Sequence, residues 1–231
     1  MTSDAASPEP RQSRFSLPVA LVGAMAVLII VLHGLTYFLS YEENVTLIYD
    51  FGLAPRRFFA PPGSEHAYPN VVAQLLTLVS TALLHGDFIH VGVNALMLWQ
   101  FGQGPARMLG PGLAGAGRWM LLFVVSIVAG SLAYLALNGV AGGAAVGASG
   151  GTCGLIAADF LIGPDGKLRS PFSRPFLMLT LVFALINLAM VFIIPLVLPF
   201  YVSWEAHLGG YIAGAAMMLI LGAKIGRAEA V

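Results

Sequence analysis

The chain of 231 residues has one cysteine, Cys153, so it can form neither an intramolecular disulfide nor a cluster of thiolates around a metal. Charge is scarce too: 11 basic and 11 acidic residues make up only 10% of the sequence and cancel one another. This balance gives no basic field for nucleic acid, which is not an expected partner, and no acidic tail. EF-hand, paired-cysteine zinc and glycine-rich nucleotide motifs are also missing, so neither a metal nor an organic cofactor is expected. We find no internal repeat, low-complexity tract or separate soluble domain. Apolar side chains are abundant instead: 58% of residues are hydrophobic and the mean hydropathy is +0.85. One water-soluble core cannot cover that much apolar surface, and the expected solvent is a lipid bilayer.

Candidate membrane spans follow from the apolar runs. Residues 1–16 are polar, and the stretch Leu17–Leu39 that follows exceeds the apolar core of a signal peptide, which predicts an uncleaved first span. Further candidates are Phe88–Phe101, Trp119–Leu137, Ser149–Ile162, Phe176–Leu198 and Trp204–Leu221. The sequence thus predicts an all-α polytopic membrane protein with six spans within residues 17–222, a polar tail before them and a short tail at 223–231. The second and fourth candidates have about 14 residues, short of the ~20 needed to cross ~30 Å of hydrocarbon. Their starts are therefore expected below the membrane surface, covered by protein. The run Val71–Leu84 reads either as a further span or as an interfacial segment of the long loop at about 41–87.

Basic residues collect in cytoplasmic loops, and their positions discriminate between these alternatives. With six spans and a cytoplasmic N-terminus, the inside receives Arg11, Arg14, Arg107, Arg118, Lys167, Arg169, Arg174, Lys224 and Arg227, or 9 of 11 basic residues. Counting 71–84 as another crossing would move five of these outside. Both termini are therefore expected in the cytoplasm. Arg56 and Arg57, beside Phe58 and Phe59, suit the outer headgroup region.

In this topology spans two, four and six all begin in the outer half of the bilayer, and the polar groups gather at those beginnings. Span two opens with His85-Gly86-Asp87-Phe88-Ile89-His90 and reaches Asn94; His90 and Asn94, four residues apart, share a helix face. Span four opens at Gly147-Ala148-Ser149-Gly150, and span six near Ser203 with His207. Asp87 and Ser203 are candidate N-caps. Gly150 with Gly154, and Gly210 with Gly214, have the spacing that lets membrane helices approach closely. Taken singly, a Gly-Ala-Ser-Gly string is ordinarily a packing motif, and a histidine at a helix end is commonly structural. Several strongly polar residues at one membrane depth instead point to a functional site.

These elements resemble the rhomboid family of intramembrane serine proteases: His85, His90 and Asn94, then Gly147-Ala148-Ser149-Gly150, then Ala206-His207 with Gly210 and Gly214. The resemblance runs from about Phe51 to Gly214. It implies a six-helix rhomboid fold and a Ser149–His207 dyad open to the extracytoplasmic side. His90, Asn94 and the Ser149 backbone N–H would stabilise the oxyanion, with His85, Gly147 and Gly150 accessory. The implied partners are transmembrane protein substrates within the bilayer, cleaved in or near their membrane segments, and no metal is required. Asp159 lies too far along span four to complete a triad, and Glu205 points away from His207. Pro195, Pro199 and the aromatic residues after them are candidates for a lateral gate.

The chain departs from the family pattern in two places. Cys153 stands where many rhomboids have an aromatic residue packed on the catalytic histidine, which leaves Cys153 or Tyr211 as candidates for orienting His207. The acidic residue common at the cytoplasmic end of span two is replaced by Gly104-Pro105-Ala106-Arg107. Three rival readings stand beside the protease: a non-catalytic rhomboid-like protein that binds membrane clients, a small transporter, and a hydrolase using Cys153 as nucleophile. The small size and the N-terminal sequence fit a bacterial inner membrane.

Overall fold

A computed structural model describes residues 16–197 and 202–228. Residues 1–15 of the expected tail at 1–16, the end of the expected tail at 223–231, and the gate residues Pro199, Phe200 and Tyr201 lie outside them. The described residues form nine α-helices: α1 (Leu17–Thr36), α2 (Tyr41–Phe51), α3 (Pro55–Phe58), α4 (Val71–Ser80), α5 (Phe88–Met108), α6 (Gly112–Asn138), α7 (Ser149–Phe160), α8 (Arg174–Val197) and α9 (Trp204–Ala228). Short 3₁₀ turns follow α4 and α6. Strand-like pairing among the described residues is confined to two isolated bridges, Leu53 with Ala145 and Ile162 with Leu168.

Four helical segments are long and apolar enough to cross a membrane: Leu17–Thr36, Gly112–Ala141, Arg174–Ile193 and Trp204–Ala223. Val71–Leu83 and Phe88–Met108 meet the same criterion only as a pair, and that pair is bent by 87°. The apolar run after Val71 is thus a short helix turned sharply away from α5. Helix α7, with 12 residues, rises only ~18 Å and cannot cross alone. It is instead enclosed by α5, α6 and α9, and every residue from Gly150 to Ala158 is buried.

Three predicted boundaries need correction, and in the last of them α9 runs past Leu221 to Ala228, through much of the expected tail at 223–231. The second span does not stop at Phe101 but continues to Met108, giving 21 residues, with Pro105 in its last turn. The string Gly102-Gln103-Gly104-Pro105 looks like a turn locally, yet packing keeps it helical. A side chain at Gly102 would strike Val22 of α1, and one at Gly104 would strike the Asp159 carboxylate of α7. The fully buried Trp119 also donates its indole N–H to the Gly102 carbonyl at 3.0 Å. The third span likewise begins at Gly112, directly after Pro111, rather than at Trp119.

The long loop is a built structure, and Arg57 sits inside it instead of facing headgroups. Its guanidinium donates to Asp50 Oδ1 at 2.8 Å and to the Tyr49 carbonyl at 2.6 Å. It also lies between the rings of Tyr49 and Tyr68, 4.0 and 4.3 Å from their centroids. Arg56, by contrast, is exposed. The loop joins the membrane helices through Leu53, whose N–H and carbonyl both pair with Ala145. Next to that bridge the Thr81 hydroxyl donates to the Ala145 carbonyl, and the Gly147 N–H donates to the Thr81 carbonyl at 2.9 Å. The segment entering α7 is therefore held from the loop side.

Candidate active site

The site grows from the contact between α7 and α9. A side chain at Gly210 would collide with the Gly150 backbone, and one at Gly214 with the Gly154 backbone. Helix α6 closes the third side, where a Cβ on Gly130 would come within 2.6 Å of the Ala206 carbonyl. Glycines at these positions let the three helix backbones touch, so short side chains on one helix can reach the next. This approach brings the entrance of α7, with Ser149, beside the first turns of α9, with His207.

Ser149, His207, His90 and Asn94 line one cavity of about 490 Å³. Its remaining wall is largely apolar and includes Ile127 and Ile156 from the core and Val182, Phe183 and Ile186 from α8. Ser149 and His90 are half-buried, whereas Asn94 and His207 are buried. The cavity thus collects these four groups from α5, α7 and α9, and Thr81, Ser131, Tyr134, Thr152, Asn187 and Ser203 add further polar side chains to its mostly apolar wall.

Ser149 is the first residue of α7, and no side chain caps that helix end. The starts of α4 and α5 differ: Asn70 accepts the N–H of Ala73, and Asp87 accepts that of His90 at 2.8 Å. The uncapped N–H groups of α7 remain available to an anion in the cavity, where the helix dipole adds to their pull. The preceding Gly147 has φ +125°, a conformation that L side chains rarely adopt. A Cβ there would also lie 2.7 Å from His90 Nε2 and 3.9 Å from Asn94 Nδ2. The glycine therefore lets both side chains stand against the loop that delivers Ser149. Asn94 uses one amide hydrogen on the His90 carbonyl at 3.0 Å, which leaves its second hydrogen for another acceptor.

His85 is buried behind this loop, where its Nε2 accepts the Ala148 N–H at 3.4 Å. It supports the backbone next to Ser149 and does not line the cavity. The Asp159 carboxylate stands against Gly104 at the far end of α7, and Glu205 accepts a hydrogen bond from Asn138. Both acids are thus engaged away from His207. Tyr211 is also committed elsewhere, with its hydroxyl 2.7 Å from that of Thr180 and its ring stacked on Phe183. Cys153 lines the cavity as a buried thiol. His207 is met instead by Asn187 of α8, whose Oδ1 lies 2.6 Å from His207 Nδ1. Sequence reasoning missed Asn187, although it is the one amide in the apolar run of α8.

A family model described as a rhomboid domain matches residues 72–224. The chain belongs to the rhomboid family. Rhomboid protein 1, mitochondrial, of Saccharomyces cerevisiae is 33% identical over 101 residues, which make up 42% of this chain and 28% of that protein. The rhomboid segment contains α4 to α9 up to Lys224 and every cavity-lining polar group described above, while α1, α2 and α3 precede it. With its long apolar helices, this rhomboid is an integral, multi-pass membrane protein.

Proposed function

We propose that this rhomboid is an intramembrane serine endopeptidase that hydrolyses peptide bonds in or near the transmembrane segments of membrane proteins. The observation that carries this reading is the meeting of Ser149, His207, His90 and Asn94 in one cavity at an uncapped helix start. In the proposed reaction, His207 Nε2 takes the Ser149 hydroxyl proton as Oγ attacks the scissile carbonyl carbon. The oxyanion is stabilised by the Ser149 backbone N–H, His90 and Asn94. As the tetrahedral intermediate collapses, His207 gives its proton to the leaving amine. Water, activated by the same imidazole, then hydrolyses the acyl-enzyme and regenerates the serine. The chemistry balances with water as the one co-substrate.

We further propose six crossings, made by α1, α5, α6, α7, α8 and α9, with both termini cytoplasmic and the site opening to the other side. Helix α7 would then be a short span roofed by protein and water at the end where Ser149 stands. A bacterial inner membrane is the proposed location.

The test is cleavage of single-span reporter proteins in liposomes by the wild type and by Ser149→Ala and His207→Ala variants, with product masses measured. We expect one discrete wild-type cut that both substitutions abolish. Asn94→Ala should keep measurable activity, lowered ~10²-fold or more, because it removes one oxyanion donor of several. If the wild type leaves a validated reporter panel intact and Ser149 resists a serine-directed fluorophosphonate, the protease reading is wrong and client binding takes its place.

A further inference from the structure

Helix α8 is apolar almost throughout, and Arg174–Ile193 is long and apolar enough to cross a membrane. Leu181, Leu185, Leu188 and Phe192 are among its exposed side chains, as expected of a helix facing lipid. Between Pro175 and Val197 it carries two polar side chains, Thr180 and Asn187. Both turn toward α9, where Thr180 meets the Tyr211 hydroxyl and Asn187 meets His207. A polar side chain is costly on such a helix unless it is hydrogen-bonded, so these residues stand where α9 supplies partners.

The Asn187 bond has a fixed direction. Its Nδ2 donates to the Phe183 carbonyl one turn earlier, at 3.0 Å. That contact turns the Oδ1 atom toward His207 Nδ1, 2.6 Å away. A carbonyl oxygen can only accept, so Nδ1 must carry the hydrogen. In the neutral ring the lone pair then resides on Nε2, the atom a general base needs. The bond also restricts rotation of the imidazole about its side-chain torsions. An amide achieves this without burying a charge in the bilayer, as a carboxylate would.

We propose that Asn187 is a positioning residue that selects the Nδ1–H tautomer of His207 and holds its ring toward Ser149, so that the base is oriented from α8. The proposal rests on the protease reading only for its catalytic consequence, since the tautomer is a property of the resting protein.

The experiment therefore has two arms. In the first, the protein is labelled with ¹⁵N-histidine in detergent micelles, and His207 is assigned by comparison with His207→Gln. Wild type should show a protonated Nδ1 and an unprotonated Nε2; Asn187→Leu should shift the population toward Nε2–H, and Asn187→Asp should restore Nδ1–H. In the second arm, Asn187→Leu should lower kcat roughly 10-fold or more, the lower end of the loss when a partner that orients a metal-bound imidazole is removed. KM should change less than kcat, and Asn187→Asp should recover part of the loss. Thr180→Val removes a second hydrogen bond between α8 and α9, that of Thr180 with Tyr211, and serves as the structural control. It should shift thermal stability about as much as Asn187→Leu while leaving the tautomer and kcat unchanged. An unchanged His207 tautomer in Asn187→Leu overturns the proposal, as does an equal kcat loss in Thr180→Val. A tautomer that depends on Asn187 in a protein that cleaves no reporter sinks the protease reading alone.

Discussion

The most exacting positions of the site are occupied by residues with no functional group. Gly147 combines a φ of +125° with His90 Nε2 only 2.7 Å from where a Cβ would stand. Alanine there meets backbone strain of ~1–3 kcal/mol and displaces a proposed oxyanion donor. We expect Gly147→Ala to reduce kcat/KM by at least ~10-fold in the reporter assay. Gly143→Ala should have little effect, because nothing lies within 4 Å of that Cβ position and no positive φ is required. Wild-type turnover in Gly147→Ala would refute this account of the loop. Much of the cavity's polar lining was legible at this scale: Ser149, His207, His90 and Asn94, which line one cavity, stand out because polar groups are conspicuous in an apolar chain. Asn187 was equally conspicuous but lay mid-helix, away from the three helix starts that organised the reading. Its role depends on how α8 faces α9, a rotation that one uniformly apolar helix leaves undefined.

The elements were legible in proportion to how local their signals are. The start of α5 could be placed at Asp87 because the N-cap is a contact within one turn. The end of α5 could not, because Gly102, Gly104 and Pro105 signal a turn locally while contacts with α1, α6 and α7 keep the segment helical. Helix α2 had a readable signal in Ser40 and Glu43, which form a reciprocal capping box, but the search for long spans passed over it. The loop containing α2 and α3 is organised by Arg57, which also donates to the His66 and Ala67 carbonyls at 3.3 and 3.4 Å. Arg57→Ala would leave Asp50 and several carbonyls without this donor. We expect it to destabilise the loop by ~1–3 kcal/mol, read as a lower Tm in detergent and faster protease cleavage between Ala60 and Pro69. Arg56→Ala, at an exposed position, is the control and should behave like wild type. Equal protease resistance in the two variants would show that Arg57 does not hold this loop together.

Across the whole molecule, length and charge give separate evidence about topology. Four helical segments qualify as spans on length and hydropathy, and a fifth does so only when α5 is counted with the bent segment before it. Helix α7 fails on length because its work is done by burial: from Gly150 to Ala158 it is surrounded by protein. The proposed six crossings require α7 to count as a span inside the protein, and the basic residues favour that proposal because it puts Lys167, Arg169 and Arg174 on the cytoplasmic side. Glu65 in the long loop and Asp165 in the turn after α7 are both exposed, so single cysteines at these positions report the two faces directly. The native Cys153 is buried and should stay silent toward a membrane-impermeant maleimide. In intact bacterial cells expressing the protein, Glu65→Cys should label from outside, whereas Asp165→Cys should label only after permeabilisation. Labelling of both from outside would remove a crossing between them and with it the shared depth proposed for Ser149, His207, His90 and Asn94. The reverse pattern would keep the site assembled but turn its opening, and the side from which water reaches it, toward the cytoplasm.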